Sequence, residues 1–236
     1  ANTNLIYNLS DKSEFTTNFI NTGKTYSPCP DVYFTHGPQF NKILNSYFKS
    51  SKIIGPLKYD NNLVLKKRNN FFKAKRERKK NILICPSIGD HEIILNFLKF
   101  SVNDKHNFFL SPHPVYSKYV NEYLVTLKKN CKIFYSKNKT TNELLKKTDL
   151  VICGFSTIAQ EAAILGIPSI RLLNLEKPFF HDIQDRIKIV SDAKILKSIL
   201  NKENFNIFLG NKKLIEKKFY NKLDNKAFMR FEQFLR

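Results

Sequence analysis

From Asn81 onward, short runs that are apolar throughout alternate with longer amphipathic stretches, and the connections between them are brief. NILIC (81–85) is a β-branched run, and the loop PSIGD hands over to a helical stretch, His91–Phe100. NFFLS (107–111) predicts a second strand, and Pro112-His113-Pro114 precedes an amphipathic helix over Val115–Lys129. CKIFY (131–135) predicts a third strand. TTNELLKK (140–147) is a short helix whose Thr140-x-x-Glu143 start is a capping box. DLVIC (149–153) is a fourth strand, GFST (154–157) the loop after it, and TIAQEAAIL a helix stopped by Gly166 and Pro168. SIRLL (169–173) is a fifth strand. Strands without a polar face, separated by helices, mean a parallel sheet covered on both sides. Such a sheet binds ligands in the crevice beyond the carboxyl ends of its strands. Three loops lie there: Pro86–Asp90, Pro112–Pro114 and Gly154–Thr157.

The remainder of the 236 residues follows no such rhythm. DVYFTHG (31–37) predicts a strand running into a turn, followed by a helix, Pro38–Lys49, and a short strand KIIG (52–55): a piece of an α/β layer. Residues 66–80 carry nine Lys/Arg and one Glu with no apolar period, which predicts an exposed linker. In 211–236, Ile215, Phe219, Leu223, Ala227, Phe231 and Phe234 recur at near-helical spacing, an amphipathic helix. The expected organisation is therefore 1–65, the end of an N-terminal α/β domain; 66–80, a basic linker; 81–202, the parallel-sheet domain; and 203–236, a C-terminal amphipathic helix. Ala1 stands without a preceding Met or a charged-then-apolar leader, the expectation for a processed fragment.

Charge narrows the partners less than its size promises. The formal net charge is +20, but only seven of the forty basic residues are arginine and twenty-six residues are asparagine. That vocabulary is what an AT-rich genome imposes on neutral positions; the alternative is an anionic partner, such as nucleic acid, acidic lipid or a phosphorylated substrate. Cys29, Cys85, Cys131 and Cys153 form no C-x-x-C pair and have no His at metal spacing, so no metal site is expected. Three of them stand in or beside apolar strands, where Cys acts as a small hydrophobe in a reducing, cytoplasmic setting.

The segment 148–172, TDLVICGFSTIAQEAAILGIPSIRL, concentrates the chemistry. Gly154 lets the backbone turn close to a ligand, and Ser156 and Thr157 place two hydroxyls and free N–H groups at a helix start, where a phosphate is held well. Equally open is that Thr157 caps the helix with Gln160 as its partner. The segment resembles the C-terminal domain of GT-B glycosyltransferases, in which an Asp-apolar run, a Ser-[Ser/Thr] pair, Glu-Ala and Gly-x-Pro line the nucleotide-sugar site. The resemblance covers about 79–200, and 31–60 is similar to the end of the family's N-terminal domain. It implies a Rossmann-like α/β fold with helices on both faces of a parallel sheet.

Ser111-Pro112-His113-Pro114 narrows the group. The imidazole stands at the carboxyl edge of the sheet in a loop stiffened by its prolines. A His-Pro loop followed by a Ser-[Ser/Thr] loop is similar to bacterial transferases that use CMP-sugars, and to CDP-glycerol polymer transferases. The resemblance implies that His113, as the catalytic residue, donates a proton or hydrogen bond to the departing phosphate. It also implies that Ser87, Gly89, Asp90, His113, Pro114, Gly154, Ser156, Thr157 and Glu161 line the nucleotide site, with Glu161 toward ribose or sugar hydroxyls. Against this stand an Asp90 that only caps its helix and a Glu161 that is only a surface residue near a helix start. His36, in the turn THG, is a further candidate, and Arg171 sits inside an apolar strand, either paired or reaching the strand end.

The implied activity is metal-independent glycosyl transfer, without a cofactor, from a nucleotide-sugar donor, CMP-linked by preference. The acceptor would be a surface-polysaccharide glycan or a lipid-linked one, met at the inner face of the cytoplasmic membrane through the basic excess. A nucleotide-sugar epimerase or hydrolase on the same architecture is the alternative. A nucleic-acid module is disfavoured, because the basic residues are scattered rather than interleaved with aromatics on a sheet face.

Overall fold

The computed structural model describes residues 32–35, 37–38, 41–42, 51–55, 57, 79–87, 89–135, 137–172, 187–201, 205, 224 and 226–236. In chain order the elements are β1 (Tyr33–Thr35), β2 (Ser51–Ile53), β3 (Asn81–Cys85), α1 (His91–Ser101), β4 (Asn107–Leu110), a 3-10 turn (Pro114–Tyr119) and α2 (Val120–Leu127). There follow β5 (Lys132–Tyr135), α3 (Thr141–Leu145), β6 (Leu150–Cys153), α4 (Ile158–Ile164), β7 (Ser169–Leu172), β8 (Ile187–Val190), α5 (Ala193–Leu200) and α6 (Ala227–Leu235). They fall in two compact units, one drawn from residues 1–62, 179–181 and 213–236, the other from 63–178 and 182–212.

The larger unit is a six-stranded, all-parallel sheet in the order β5-β4-β3-β6-β7-β8. Every residue of β6 and β7 is buried, which is why these strands show no alternation in the sequence. On one face Ile82, Ile84, Phe108, Leu110, Ile152 and Ile170 pack with Ile94 and Leu98 of α1 and Leu196 and Ile199 of α5. On the other, α4 lies against β6 and β7 and buries Ile158, Ala159, Ala162 and Ala163; the small alanines let the helix sit close to the sheet. Fully burying one Ile or Leu is worth ~1.5–3 kcal/mol, so these two layers hold the sheet. The first strand in sequence, β3, has β4 on one side and β6 on the other, so the winding direction reverses there. This is the switch point at which such sheets open a ligand crevice.

The smaller unit contains the parallel pair β1–β2 and helix α6. Phe34 meets Phe231 and Phe234 edge to face, with ring centroids 5.0 and 5.1 Å apart. Arg230 donates from Nη1 to the Ile54 carbonyl at 3.0 Å and grips Asp224 with Nη2 at 2.6 and 2.8 Å. Strand DVYFTHG and KIIG thus correspond to β1 and β2, while most of the expected helices over 38–49 and 211–236, and the linker 66–80, lie outside the described residues.

The parallel α/β class and its five expected strands hold, and the capping box of α3 is present in full: Thr140 Oγ1 accepts from Glu143 N, and Glu143 Oε2 accepts from Thr140 N. Two expectations change. The helix expected from Val115 starts as a 3-10 turn and becomes α-helical only at Val120, a common way for a helix to begin behind a proline-braced loop. IKIV is a sixth strand, which sequence periodicity did not reveal because only Ile187 and Val190 are buried. The helix after it is capped by Asp192, whose Oδ1 accepts from Lys194 N at 2.7 Å.

Candidate active site

Strands β4, β3 and β6 end at the same edge, and the chain after each of these three is tied to a neighbour. Beyond β4, Ser111 N donates to the Ile84 carbonyl at 2.9 Å and His113 N to the Pro86 carbonyl at 3.0 Å. These bonds prolong the β3–β4 ladder past the sheet and set exposed His113 beside the loop that follows β3. Ser111 Oγ shares a hydrogen bond with Thr141 Oγ1, 2.9 Å away, which steadies the loop from the α3 side.

Beyond β3, Asp90 occupies the residue before α1 but does not cap it: no N–H of that helix donates to its side chain. The carboxylate is fully buried. Its Oδ1 accepts from Ser87 N at 2.6 Å, and its Oδ2 accepts from Ser87 Oγ at 2.9 Å and from Phe155 N at 2.6 Å. The alternative reading of Asp90 as only a helix cap is therefore ruled out, and Asp90 staples the loop after β3 to the loop after β6. Gly154 is what lets this happen. A Cβ there would lie 2.7 Å from both Cβ and Cγ of Asp90 and nearer still to Oδ2. The glycine is demanded by the approach of the carboxylate; Gly89, with φ +83°, is demanded by its left-handed turn.

Beyond β6, Arg171 controls the backbone. It is paired in register with Cys153 and is completely buried in the middle of SIRL. Its Nη1 donates to the Gly154 carbonyl and, at 3.0 Å, to the Ser156 carbonyl. A guanidinium is always charged and is tolerated inside a protein only when its N–H groups are occupied. These bonds bear out the reading of Arg171 as a residue that reaches the strand end. The row Cys85, Cys153, Arg171 runs across three adjacent strands. Burial, then the neighbouring Cys153, Glu161 and Asp90, push the Cys85 thiol well above its ordinary pKa, so it is no nucleophile.

Ser156 and Thr157 differ from expectation in their division of labour. Thr157 precedes α4 with helical backbone angles and no capping hydrogen bond from its side chain; Ser156 Oγ accepts instead from Ile158 N at 3.3 Å. The Thr157 carbonyl accepts from Gln160 N at 3.0 Å, and the residue is exposed. Glu161, one turn on, is only 8 % exposed, so it is not a surface residue. His91, at the start of α1, stacks on Tyr119 with centroids 3.9 Å apart, and Lys118 lies over the other ring at 5.0 Å. The structure thus brings Ser87, Asp90, His113, Gly154, Ser156 and Thr157 to one edge. His36 lies outside the described residues, as does the Pro114 side chain. Missed by the sequence reading was the His91–Tyr119 stack; its only signal was an aromatic six residues past His113.

No family model and no curated protein sequence matches the chain. Solved structures do. The wall teichoic acid polymerase TagF, in a variant soaked with CDPG, superposes with a TM-score of 0.59 at 16 % identity, over 95 % of this chain and 59 % of that one. S. aureus MnaA with UDP gives 0.62 at 14 %, over 98 % and 65 %. The UDP-GlcNAc 2-epimerase of Neisseria meningitidis bound to UDP-GlcNAc gives 0.53 at 17 %, over 83 % and 58 %. The chain has the GT-B fold. It spans about three-fifths of the length of these neighbours, and at such identities the likeness is one of GT-B architecture alone. No helix among the described residues is long and apolar enough to cross a membrane.

Proposed function

We propose that this chain carries the nucleotide-binding part of a GT-B transferase that moves a sugar or polyol phosphate from a nucleotide-linked donor to a glycan or lipid-linked acceptor. What supports the reading most directly is the convergence of His113 and the Gly154–Thr157 loop at the switch point, both anchored to the loop after β3. The N–H groups of Ser156 and Thr157 and the Thr157 hydroxyl have no acceptor among the described residues. Donors held in place without an acceptor are suited to a phosphate. His113, exposed on a stiff loop, would hydrogen-bond or protonate the departing phosphate, stabilising charge that grows toward the transition state. Ser87, Gly89, Pro114 and Glu161 complete the proposed lining, with Asp90 and Gly154 acting on it through the backbone. The +20 charge fits a phosphorylated donor and a reaction next to anionic lipid at the cytoplasmic membrane.

Cytidine nucleotides lead the proposal, since the His-Pro and Ser-Thr loops resemble enzymes that use them and TagF was soaked with CDPG. The likeness to the UDP-GlcNAc 2-epimerase of Neisseria meningitidis favours a second reading, a UDP-sugar epimerase. A thermal-shift panel of CMP, CDP, UDP and GDP separates them. A ligand at ~100 times its Kd adds about 2.7 kcal/mol of stability. A larger shift with CMP or CDP supports the transferase. A larger shift with UDP, together with inversion of a UDP-sugar when no acceptor is present, supports the epimerase. No shift with any nucleotide overturns both.

A further inference from the structure

Resting on the nucleotide site just proposed, the geometry points to Arg171 as its positioning residue: a buried cation that never touches the donor but aims the Thr157 N–H at the donor's phosphate. Planarity carries the inference. None of the described peptide bonds is cis, and in a trans peptide the C=O and the following N–H point in opposite directions. The peptide joining Gly154 to Phe155 has its carbonyl on Arg171 Nη1 and its N–H on Asp90 Oδ2, so it is held between a buried cation and a buried anion and cannot rotate. The peptide joining Ser156 to Thr157 has its carbonyl on the same Nη1. Its N–H therefore points away from the interior of the sheet, on a residue that is itself exposed. That N–H has no acceptor among the described residues.

Two carbonyls turned inward by one guanidinium thus account for a donor turned outward. A neutral side chain of the same length would leave the Gly154–Phe155 peptide only its Asp90 anchor and the Ser156 carbonyl only the Cys153 thiol, 4.0 Å away. Lysine keeps the charge but lacks the planar fork, so it serves the two carbonyls less well. Asp90 supplies the second anchor and Gly154 the room for it.

The test uses the whole chain, with CDP and UDP as probes. Calorimetric titration gives Kd, and the amide resonance of Thr157 in 15N-labelled protein reports the N–H itself. In the wild type, the nucleotide that binds shifts the Thr157 amide. Arg171→Met, checked as folded by circular dichroism, is expected to weaken that nucleotide by about tenfold or more and to lose the Thr157 shift. Arg171→Lys is expected to recover part of both, which a purely structural role in holding the fold would not predict. Arg171→Met that folds, binds like the wild type and keeps the Thr157 shift overturns the role of Arg171 and leaves the site standing. If Arg171→Met does not fold, wild-type affinity and shift in Arg171→Lys overturn it equally. A wild type that binds nucleotide without moving Thr157 overturns the site and, with it, the inference.

Discussion

The two ends of the parallel sheet satisfy their backbone groups in opposite ways. At the amino end, Asn81 N donates to Asp149 Oδ2 at 2.9 Å while Asp149 N donates back to the Asn81 carbonyl at 2.8 Å. Asn81 Nδ2 reaches the Lys147 carbonyl at 2.9 Å, and Asn107 Nδ2 reaches Asn81 Oδ1 at 3.2 Å. Side chains there close the ladder on itself. At the carboxyl end the side chains of Asp90 and Arg171 are buried deeper, yet they hold the backbone of the loops after β3 and β6, and the N–H groups of Ser156 and Thr157 have no acceptor among the described residues. The difference teaches where cost is tolerated. An edge that only ends a sheet uses half-buried side chains that water still reaches; an edge kept open holds charges deep in the interior to keep its donors from closing on themselves.

The comparison breaks first at Asp90. Asp90→Ala takes the buried carboxylate acceptor from the half-buried N–H groups of Ser87 and Phe155 and is expected to destabilise the protein by about 3 kcal/mol. It should also abolish the stabilisation by nucleotide. Chemical denaturation with and without CDP or UDP checks both; a fully retained nucleotide effect would show that the staple does not shape the site. Gly154→Ala is expected to cost about 2 kcal/mol, because the new methyl collides with a carboxylate that three donors hold in place. The same change in an Asp90→Gly background, which removes the Cβ as well as the carboxylate, should cost much less, and a double-mutant cycle that comes out additive would contradict the collision.

At the other edge, Asp149→Ala is expected to lower stability by about 1 kcal/mol and leave nucleotide affinity unaltered. Loss of affinity there would erase the distinction between the edges. The smallest effect concerns His106, buried at the amino end of β4, with Nε2 2.5 Å from the Leu200 carbonyl and Nδ1 without a partner among the described residues. Burial chiefly, then Lys105 and Lys80, pull its pKa below the ordinary 6.5 against the Leu200 carbonyl and Asp149, which raise it. The unfolded chain then binds a proton before the folded one does. Stability is at its full value above 6.5 and falls as the pH drops through that value toward the lower folded pKa. Melting curves between about pH 8 and pH 5 on the wild type and His106→Gln measure this. The wild type should lose more than the variant as the pH falls, and equal losses would remove His106 as the cause.

What the sequence determined by itself is whatever depends on neighbours along the chain. The unbroken apolar strands NILIC and LVIC specify a sheet covered on both faces, Gly166 and Pro168 stop α4, and Thr140 and Glu143 complete a capping box between residues three apart. From the order of strands and helices it also follows that the loops bearing His113 and Ser156 share an edge. Tertiary structure decided what each polar residue at that edge does. Asp90 and Thr157 stand where local rules make them caps, yet neither caps. Strand β6 brings the Phe155 N–H to the carboxylate of Asp90 from 65 residues away, and Ser156 takes the α4 donor. Arg171 reads locally as an odd residue in a strand, and only the pairing of β7 with β6 puts carbonyls within its reach. Local hydrogen bonds span three or four residues and can be read from spacing; a buried charge is assigned by register across the sheet, which a single strand does not encode.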